Sequence, residues 1–169
     1  MIIKDVAIRR IIDSRGNPTV EAEIKTSKGF GRAAAPAGAS TGTHEAVAWP
    51  DGKVSKGMQF AEKNVIPKLL GLSIDNQNEF DGLLKEIDGT GNFSVMGGNI
   101  GVAFSLAYAK AAADSKGISL FEHISKKKSY SIPAPMANVL GGGAHAIGGT
   151  DIQEYLVTAF DEDITTAIE

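Results

Sequence analysis

The stretch Thr19–Ala35, TVEAEIKTSKGFGRAAA, decides the fold of the first part of the chain. Its apolar residues Val20, Ala22 and Ile24 alternate with charged ones, which is the pattern of a half-buried strand. The turn sequence TSKG follows, and FGRAAA returns as the hairpin partner. A looser alternation over residues 2–12, ended by the turn-forming DSRGNP, predicts one more strand. We therefore expect a three-stranded antiparallel sheet with one polar face.

Beyond residue 55 the apolar period becomes helical, and about four helices are expected. Pro67 is expected to kink or end the first helix, and Asp75 to cap the second. The strongest helical pattern runs from Asn99 to Ser115, and a last short helix from Leu120 to Lys128. The expected inward-facing positions of the first two helices are Met58, Ala61, Val65, Leu69, Phe80, Leu83, Leu84 and Ile87.

A glycine-rich stretch, GGGAHAIGGTDIQEY at Gly141–Tyr155, is the first candidate site. Glycines allow the backbone to approach a ligand closely, and His145 between them can change its charge near neutral pH. Gln153 and Glu154 then begin an apolar strand. A glycine-rich loop that contains a histidine and leads into such a strand is typical of a ligand site at the mouth of a sheet or barrel. A flexible loop before an ordinary strand remains the alternative.

A second loop, PAGASTGTHE at Pro36–Glu45, interrupts the strand pattern with small and hydroxyl-bearing residues. It is expected to be exposed, because it has no large apolar residue to anchor it. The hydroxyls of Ser40, Thr41 and Thr43 could coordinate a metal or an anion. No Gly-Lys-Ser/Thr follows, which excludes a Walker phosphate loop. A plain linker or turn is the alternative here.

Composition excludes several classes of function. The chain has 169 residues and a net charge of −3, without the basic footprint that nucleic-acid binding needs. It has no cysteine, so disulfides and thiolate metal sites are excluded. The uncharged run Val95–Ala109 is too short to span a membrane, and no secretory signal is recognised at the start. We expect a cytoplasmic protein.

The prolines in Ser129–Pro135 indicate a domain boundary, so domains are expected at residues 1–130 and 131–169. Two strands are predicted beyond it, Ile132–Leu140 and Ile152–Phe160. Asp161-Glu162-Asp163 then caps a helix inside which the sequence ends. We expect from this pattern a chain cut from a longer one.

Several motifs together resemble one family, enolase (phosphopyruvate hydratase). They occur in the family's order and span nearly the whole chain, which makes the combination highly specific. The sequence is similar to that of an archaeal-like branch, with departures at Ala37, Gly141 and Ala144. The matching pieces are DSRGNPTVE (13–21), GASTGTHEA (38–46), IDGTGN (87–92), SLAYAKAAA (105–113), NVLGGGAHA (138–146) and DIQEY (151–155).

The resemblance implies an α+β fold: an amino-terminal cap domain with a three-stranded antiparallel sheet and about four helices, followed by the first two strands of an incomplete β/α barrel. It implies dehydration of 2-phosphoglycerate to phosphoenolpyruvate with two Mg²⁺, in a homo-oligomer that is a dimer or an octamer. Ala39 and Ser40 would lie on a closing loop, where Ser40 binds the second metal and both contact the substrate. His145 would close over the phosphate, Gln153 would contact the substrate, and Glu154 would lie near the departing hydroxyl.

The family's remaining metal carboxylates, lysine base, proton donor and phosphate-binding arginine match later positions than those present here. The resemblance therefore implies that these 169 residues alone are inactive. An oligomer-interface or binding module without chemistry is the alternative. An independent phosphate-binding loop protein is disfavoured, because Gly141–Tyr155 contains no Lys or Arg to neutralise the ligand.

Overall fold

The chain divides into two compact units in a computed structural model that describes residues 1–38, 41–125, 127, 129–146, 148–160 and 163–168. The first unit comprises Met1–Ala37 and Thr43–Lys126. The second comprises Gly38–Gly42 and Lys127–Glu169. Each unit is described below by itself.

The first unit opens with the predicted antiparallel sheet. Its strands are β1 (Ile3–Ile12), β2 (Pro18–Thr26) and β3 (Phe30–Ala34), in that spatial order. Ile8 pairs with Ala22 and Ile24 with Gly31, so β2 lies in the centre. The alternating apolar residues of β2 are fully buried, as predicted, while its charged residues lie on the other face.

The first helical segment is irregular just before Pro67, the residue at which a kink or an end was predicted. Helix α1 (Val54–Phe60) continues through a π-helical turn, Ala61–Val65, into α2 (Ile66–Leu69). The N–H of Ile66 donates to the carbonyl of Ala61, five residues earlier. Proline has no N–H and its ring crowds the preceding turn, and the widened turn accommodates both. The helix therefore passes Pro67 and ends at Leu69.

The second helix is capped one residue later than predicted. Helix α3 (Gln77–Asp88) has Asn76 as its N-cap, whose side-chain oxygen accepts from the Glu79 N–H at 2.8 Å. Asn76 has the extended backbone that an N-cap needs, whereas Asp75 pairs with the amino group of Met1. The prediction for Asp75 was wrong. Gly89, with φ of 72°, ends α3.

The long helix α4 (Gly98–Ser115) lies across the sheet and forms the core with it. Its buried residues are mostly alanines, which lets the helix backbone approach β3 closely. A Cβ atom at Gly31 would overlap the Ala107 carbonyl oxygen and the Ala111 nitrogen. On the other side, the ring of Tyr108 stacks on Phe80 at 4.2 Å between centroids. A short helix, α5 (Leu120–Ser125), follows.

The second unit contains a two-stranded sheet. Strands β4 (Met136–Gly141) and β5 (Glu154–Thr158) pair antiparallel and are shorter than predicted. A regular β/α barrel has parallel strands, so the antiparallel pairing of β4 with β5 departs from that regular pattern. Helix α6 (Ile164–Ile168) follows, with Asp163 accepting from the N–H groups of Thr165 and Thr166. Asp161 and Glu162 lie outside the described residues. The α+β class is confirmed.

Candidate functional site

The glycine-rich loop between β4 and β5 is closed at its neck by backbone hydrogen bonds. The N–H of Gly142 donates to the Gln153 carbonyl at 2.8 Å, and that of Gly143 donates to the Thr150 carbonyl at 2.7 Å. The hydroxyl of Thr150 donates to the carbonyl of Ile152 at 2.9 Å. These bonds join the two ends of the loop, so Gln153 lies beside the first glycines although ten positions separate it from Gly143.

The neck requires glycine because two backbone segments meet there without space for a side chain. A Cβ atom at Gly142 would overlap the carbonyl oxygens of Thr150 and Ile152. A Cβ atom at Gly149 would lie 3.0 Å from the Cα of Gly142, inside normal contact distance. The glycines therefore allow the two backbone segments of the neck to approach each other closely. This contact determines the positions from which the polar side chains of the loop extend.

Three of the predicted site residues are brought to this loop. His145 ends a short 3-10 turn, Gly143–His145, and its N–H donates to the Gly142 carbonyl at 3.3 Å. Gln153 lies at the neck, and Glu154 begins β5 opposite Gly141. All three side chains of His145, Gln153 and Glu154 are exposed. An imidazole on the loop, an amide at its neck and a carboxylate at the start of β5 are thus all open to solvent.

The other predicted site residues, Ala39 and Ser40, lie outside the described residues. The stretch Gly38–Gly42 that contains them belongs to the second unit, together with the glycine-rich loop. Within the described ranges, no three His, Asp or Glu side chains gather closely enough to hold a metal ion. In the same ranges no helix is both long and apolar enough to cross a bilayer.

Both ends of the loop at Pro36–Glu45 are held in the first unit, by residues that sequence reasoning missed. The hydroxyl of Thr19 donates to the Ala35 carbonyl at 2.9 Å, just before the loop. After the loop, the N–H of Val47 donates to the Asn92 carbonyl at 2.8 Å. Two features of the sequence could have pointed to these contacts: the polar Thr19 beside the apolar positions of β2, and the turn sequence IDGTGN. Neither feature indicates which backbone group will be the hydrogen-bond partner.

Comparison with known proteins gives consistent matches. The family model described as Enolase, N-terminal domain, matches residues 3–124. The enolase of Thermoplasma acidophilum is 49% identical over 157 residues, covering 93% of this chain and 39% of the relative. That of Methanosphaera stadtmanae is 48% identical over 169 residues, covering 99% and 41%. That of Pyrococcus furiosus is 45% identical over 168 residues, covering 95% and 39%.

This chain spans about two fifths of the length of these curated relatives. The family model extends from β1 into α5, and the alignment with the Methanosphaera stadtmanae protein runs on through the glycine-rich loop. The two comparisons agree with each other and with the motifs quoted above. The chain belongs to the enolase family, whose N-terminal domain it contains.

Proposed function

We propose that the protein to which this segment belongs is an enolase that dehydrates 2-phosphoglycerate to phosphoenolpyruvate with Mg²⁺ in the cytoplasm. In this proposal residues 1–130 are the cap domain and residues 131–169 begin the β/α barrel. The observation that supports the proposal is the closed glycine loop in a chain of this family, with His145 on the loop, Gln153 at its neck and Glu154 at the start of β5, all three exposed.

Each side chain suits a separate part of that reaction. The proton to be removed lies on the carbon next to a carboxylate and is barely acidic. The hydroxyl group on the neighbouring carbon also needs assistance, because hydroxide is a poor leaving group. Glu154 would lie near that hydroxyl, where its carboxyl group can donate a proton or orient a water. Gln153 would hold the substrate through its amide, and His145 would cover the phosphate as the loop closes and excludes water.

The magnesium ions would stabilise the negative charge that develops on the substrate carboxylate. Ser40 is the proposed ligand in this chain, through its hydroxyl and carbonyl oxygens. Mg²⁺ prefers a full set of oxygen ligands, and among the described residues no three His, Asp or Glu side chains cluster to complete that set.

The test uses the full-length protein that carries this segment. Formation of phosphoenolpyruvate is followed by ultraviolet absorbance with Mg²⁺ present and again after chelation. We expect turnover that chelation abolishes, and a large loss of turnover in His145→Ala. The matched control is His123→Ala, which removes a half-buried imidazole from α5 in the first unit. Absence of turnover, or equal losses in the two variants, would contradict the proposal.

A second candidate, an interaction module that forms homo-oligomers, is favoured by the exposed apolar side chains of the second unit. Met136 is 71% exposed and Val139 is 64% exposed, although both belong to a strand. Apolar strands open to solvent tend to pair with another chain. Sedimentation of the 169-residue chain would test this candidate, which predicts a dimer or larger species at micromolar concentration and is contradicted by a monomer.

A further inference from the structure

Within the described residues, β3 is an edge strand of the first unit's sheet. On its inner side, the N–H of Ala35 donates to the Val20 carbonyl and the N–H of Thr26 donates to the Gly29 carbonyl. Bonded and non-bonded pairs alternate along an antiparallel ladder, so every second residue between these two pairs also bonds β2. The intervening residues direct their N–H and carbonyl groups away from β2, toward the outer edge. They are Phe30, Arg32 and Ala34.

Two side chains of α4 bond the backbone of this outer edge. The carboxylate of Asp114 accepts from the N–H of Phe30 at 2.8 Å. The ammonium group of Lys110 donates to the carbonyl of Arg32 at 2.9 Å. Lys110 and Asp114 are exposed residues one helical turn apart. Together they occupy one backbone group at each of two successive outward positions of β3.

The close packing of α4 on β3 brings these side chains to the edge. A Cβ atom at Gly29 would overlap the Ala111 carbonyl oxygen, and a Cβ atom at Gly31 would overlap that of Ala107. The helix backbone therefore rests directly on the strand, within reach of its outer groups. Asp114 lies in the last turn of α4, where a negative charge is unfavourable for the helix itself. Its favourable contact is the one with the strand.

An exposed edge strand pairs with another chain through its free N–H and carbonyl groups. A strand added to β3 would meet an occupied N–H at Phe30 and an occupied carbonyl at Arg32. We propose that Lys110 and Asp114 close the outer edge of β3, so that a second copy of this chain cannot extend the sheet there. This inference is independent of the proposed function, because it concerns association between copies and not catalysis.

The test compares Lys110→Met/Asp114→Ala with the unaltered 169-residue chain over a range of protein concentrations. Both new residues favour helix, and the two lost charges cancel. In dilute solution the Phe30 N–H should exchange about tenfold faster, because it has lost its acceptor. At high concentration the Arg32 N–H should become about tenfold more protected, since a second copy then bonds it. Sedimentation should show larger species than the unaltered chain forms.

Lys85→Met/Glu86→Ala is the matched control, since it removes one charge of each sign from exposed positions of α3. It should associate only as the unaltered chain does. Exchange at Ile8 on the opposite strand β1 is the internal reference and should not depend on the substitutions. Asp114→Asn retains a side-chain oxygen that can accept from the Phe30 N–H, so this single variant should not increase association.

The position of the protection decides the outcome. Protection of the Arg32 N–H that rises with concentration, and that the control lacks, would support the inference. Association through β4 and β5 with β3 unprotected would overturn it, as would a double variant that behaves like the control at every concentration. If the double variant folds poorly, Lys110→Met alone is measured, and it should show the same protection of β3 at a higher concentration.

Discussion

At the scale of single residues, Tyr108 links the core to a measurable dependence on pH. Its hydroxyl donates to the Ile74 carbonyl at 3.0 Å, and the side chain is 1% exposed. Burial, and then the charges of Asp75, Glu79 and Asp81, raise the pKa of Tyr108 from 10.0 to about 12. The neutral phenol is thus favoured by folding, so its stabilising effect is complete below pH 10 and is lost as pH rises through about 12.

We therefore expect one of the three tyrosines to titrate near pH 12 in an ultraviolet absorbance titration of the folded chain. The free energy of unfolding should fall between pH 10 and 12 more steeply than in Tyr108→Phe, which lacks the ionisable group. A titration in which no tyrosine ionises near pH 12, or equal pH profiles for the two proteins, would show that Tyr108 is not buried in this way.

Also at this scale, Ser40→Ala in the full-length enzyme should weaken the second magnesium ion while the first stays bound. The substitution removes a hydroxyl ligand and leaves the backbone carbonyl in place. The measurement is turnover as a function of magnesium concentration, with Ser55→Ala, an exposed serine at the start of α1, as the control. A magnesium dependence that Ser40→Ala leaves unchanged would remove Ser40 from the site.

At the scale of elements, the packing of α4 on β3 depends on glycine. Because a Cβ atom at Gly31 would overlap backbone atoms of α4, Gly31→Ala must separate helix and sheet. We expect a loss of about 3 kcal/mol or more in the free energy of unfolding, measured with urea. Gly82→Ala is the control: its Cβ atom meets nothing within 4 Å on α3, and it should stabilise by about 0.5–1 kcal/mol. Equal effects of the two substitutions would contradict the close packing.

Sequence patterns predicted the elements well where a buried face imposes a period. The sheet follows from the alternation around Val20, and α4 follows from its alanine-rich run. The patterns failed at positions where the conformation of a single backbone group determines where a helix begins or how it is distorted. Whether Asp75 or Asn76 caps α3 depends on which residue is extended, and the π-helical form of the irregularity before Pro67 depends on one widened turn. Val102 and Leu106 are apolar residues of α4 that remain 50% and 38% exposed, which no periodicity indicates.

The candidate site was predicted as a list of residues but not as an arrangement. The family motifs pointed to His145, Gln153 and Glu154, which lie on the closed loop, at its neck and at the start of β5. The closure itself depends on backbone bonds such as that from Gly142 to Gln153, which link positions far apart in the sequence. For the same reason the contact of Thr19 with Ala35 was missed, since it joins a side chain to a backbone group of another segment. The roles of the site residues stay predictions.

At the scale of the whole molecule, the two units should differ in stability. The core residues from Ile3 to Ala111 all belong to the first unit, whereas nearly every residue of β4 and β5 is exposed. A two-stranded sheet alone is marginally stable in water. In the 169-residue chain we expect slow hydrogen exchange in β2 and α4, fast exchange in β4 and β5, and early proteolytic cleavage after residue 126. Strong protection of β5 in a monomer would contradict this difference.

Steady-state kinetics of Glu154→Gln in the full-length protein test most directly whether this segment contributes a reacting group to an enolase site. A group that acts at the departing hydroxyl works mainly in the transition state. We predict that turnover falls by about a hundredfold or more while the Michaelis constant for 2-phosphoglycerate changes by less than about threefold. Glu122→Gln, at an exposed glutamate of α5, should alter neither value. A main effect on the Michaelis constant, or kinetics like those of the control, would contradict the claim.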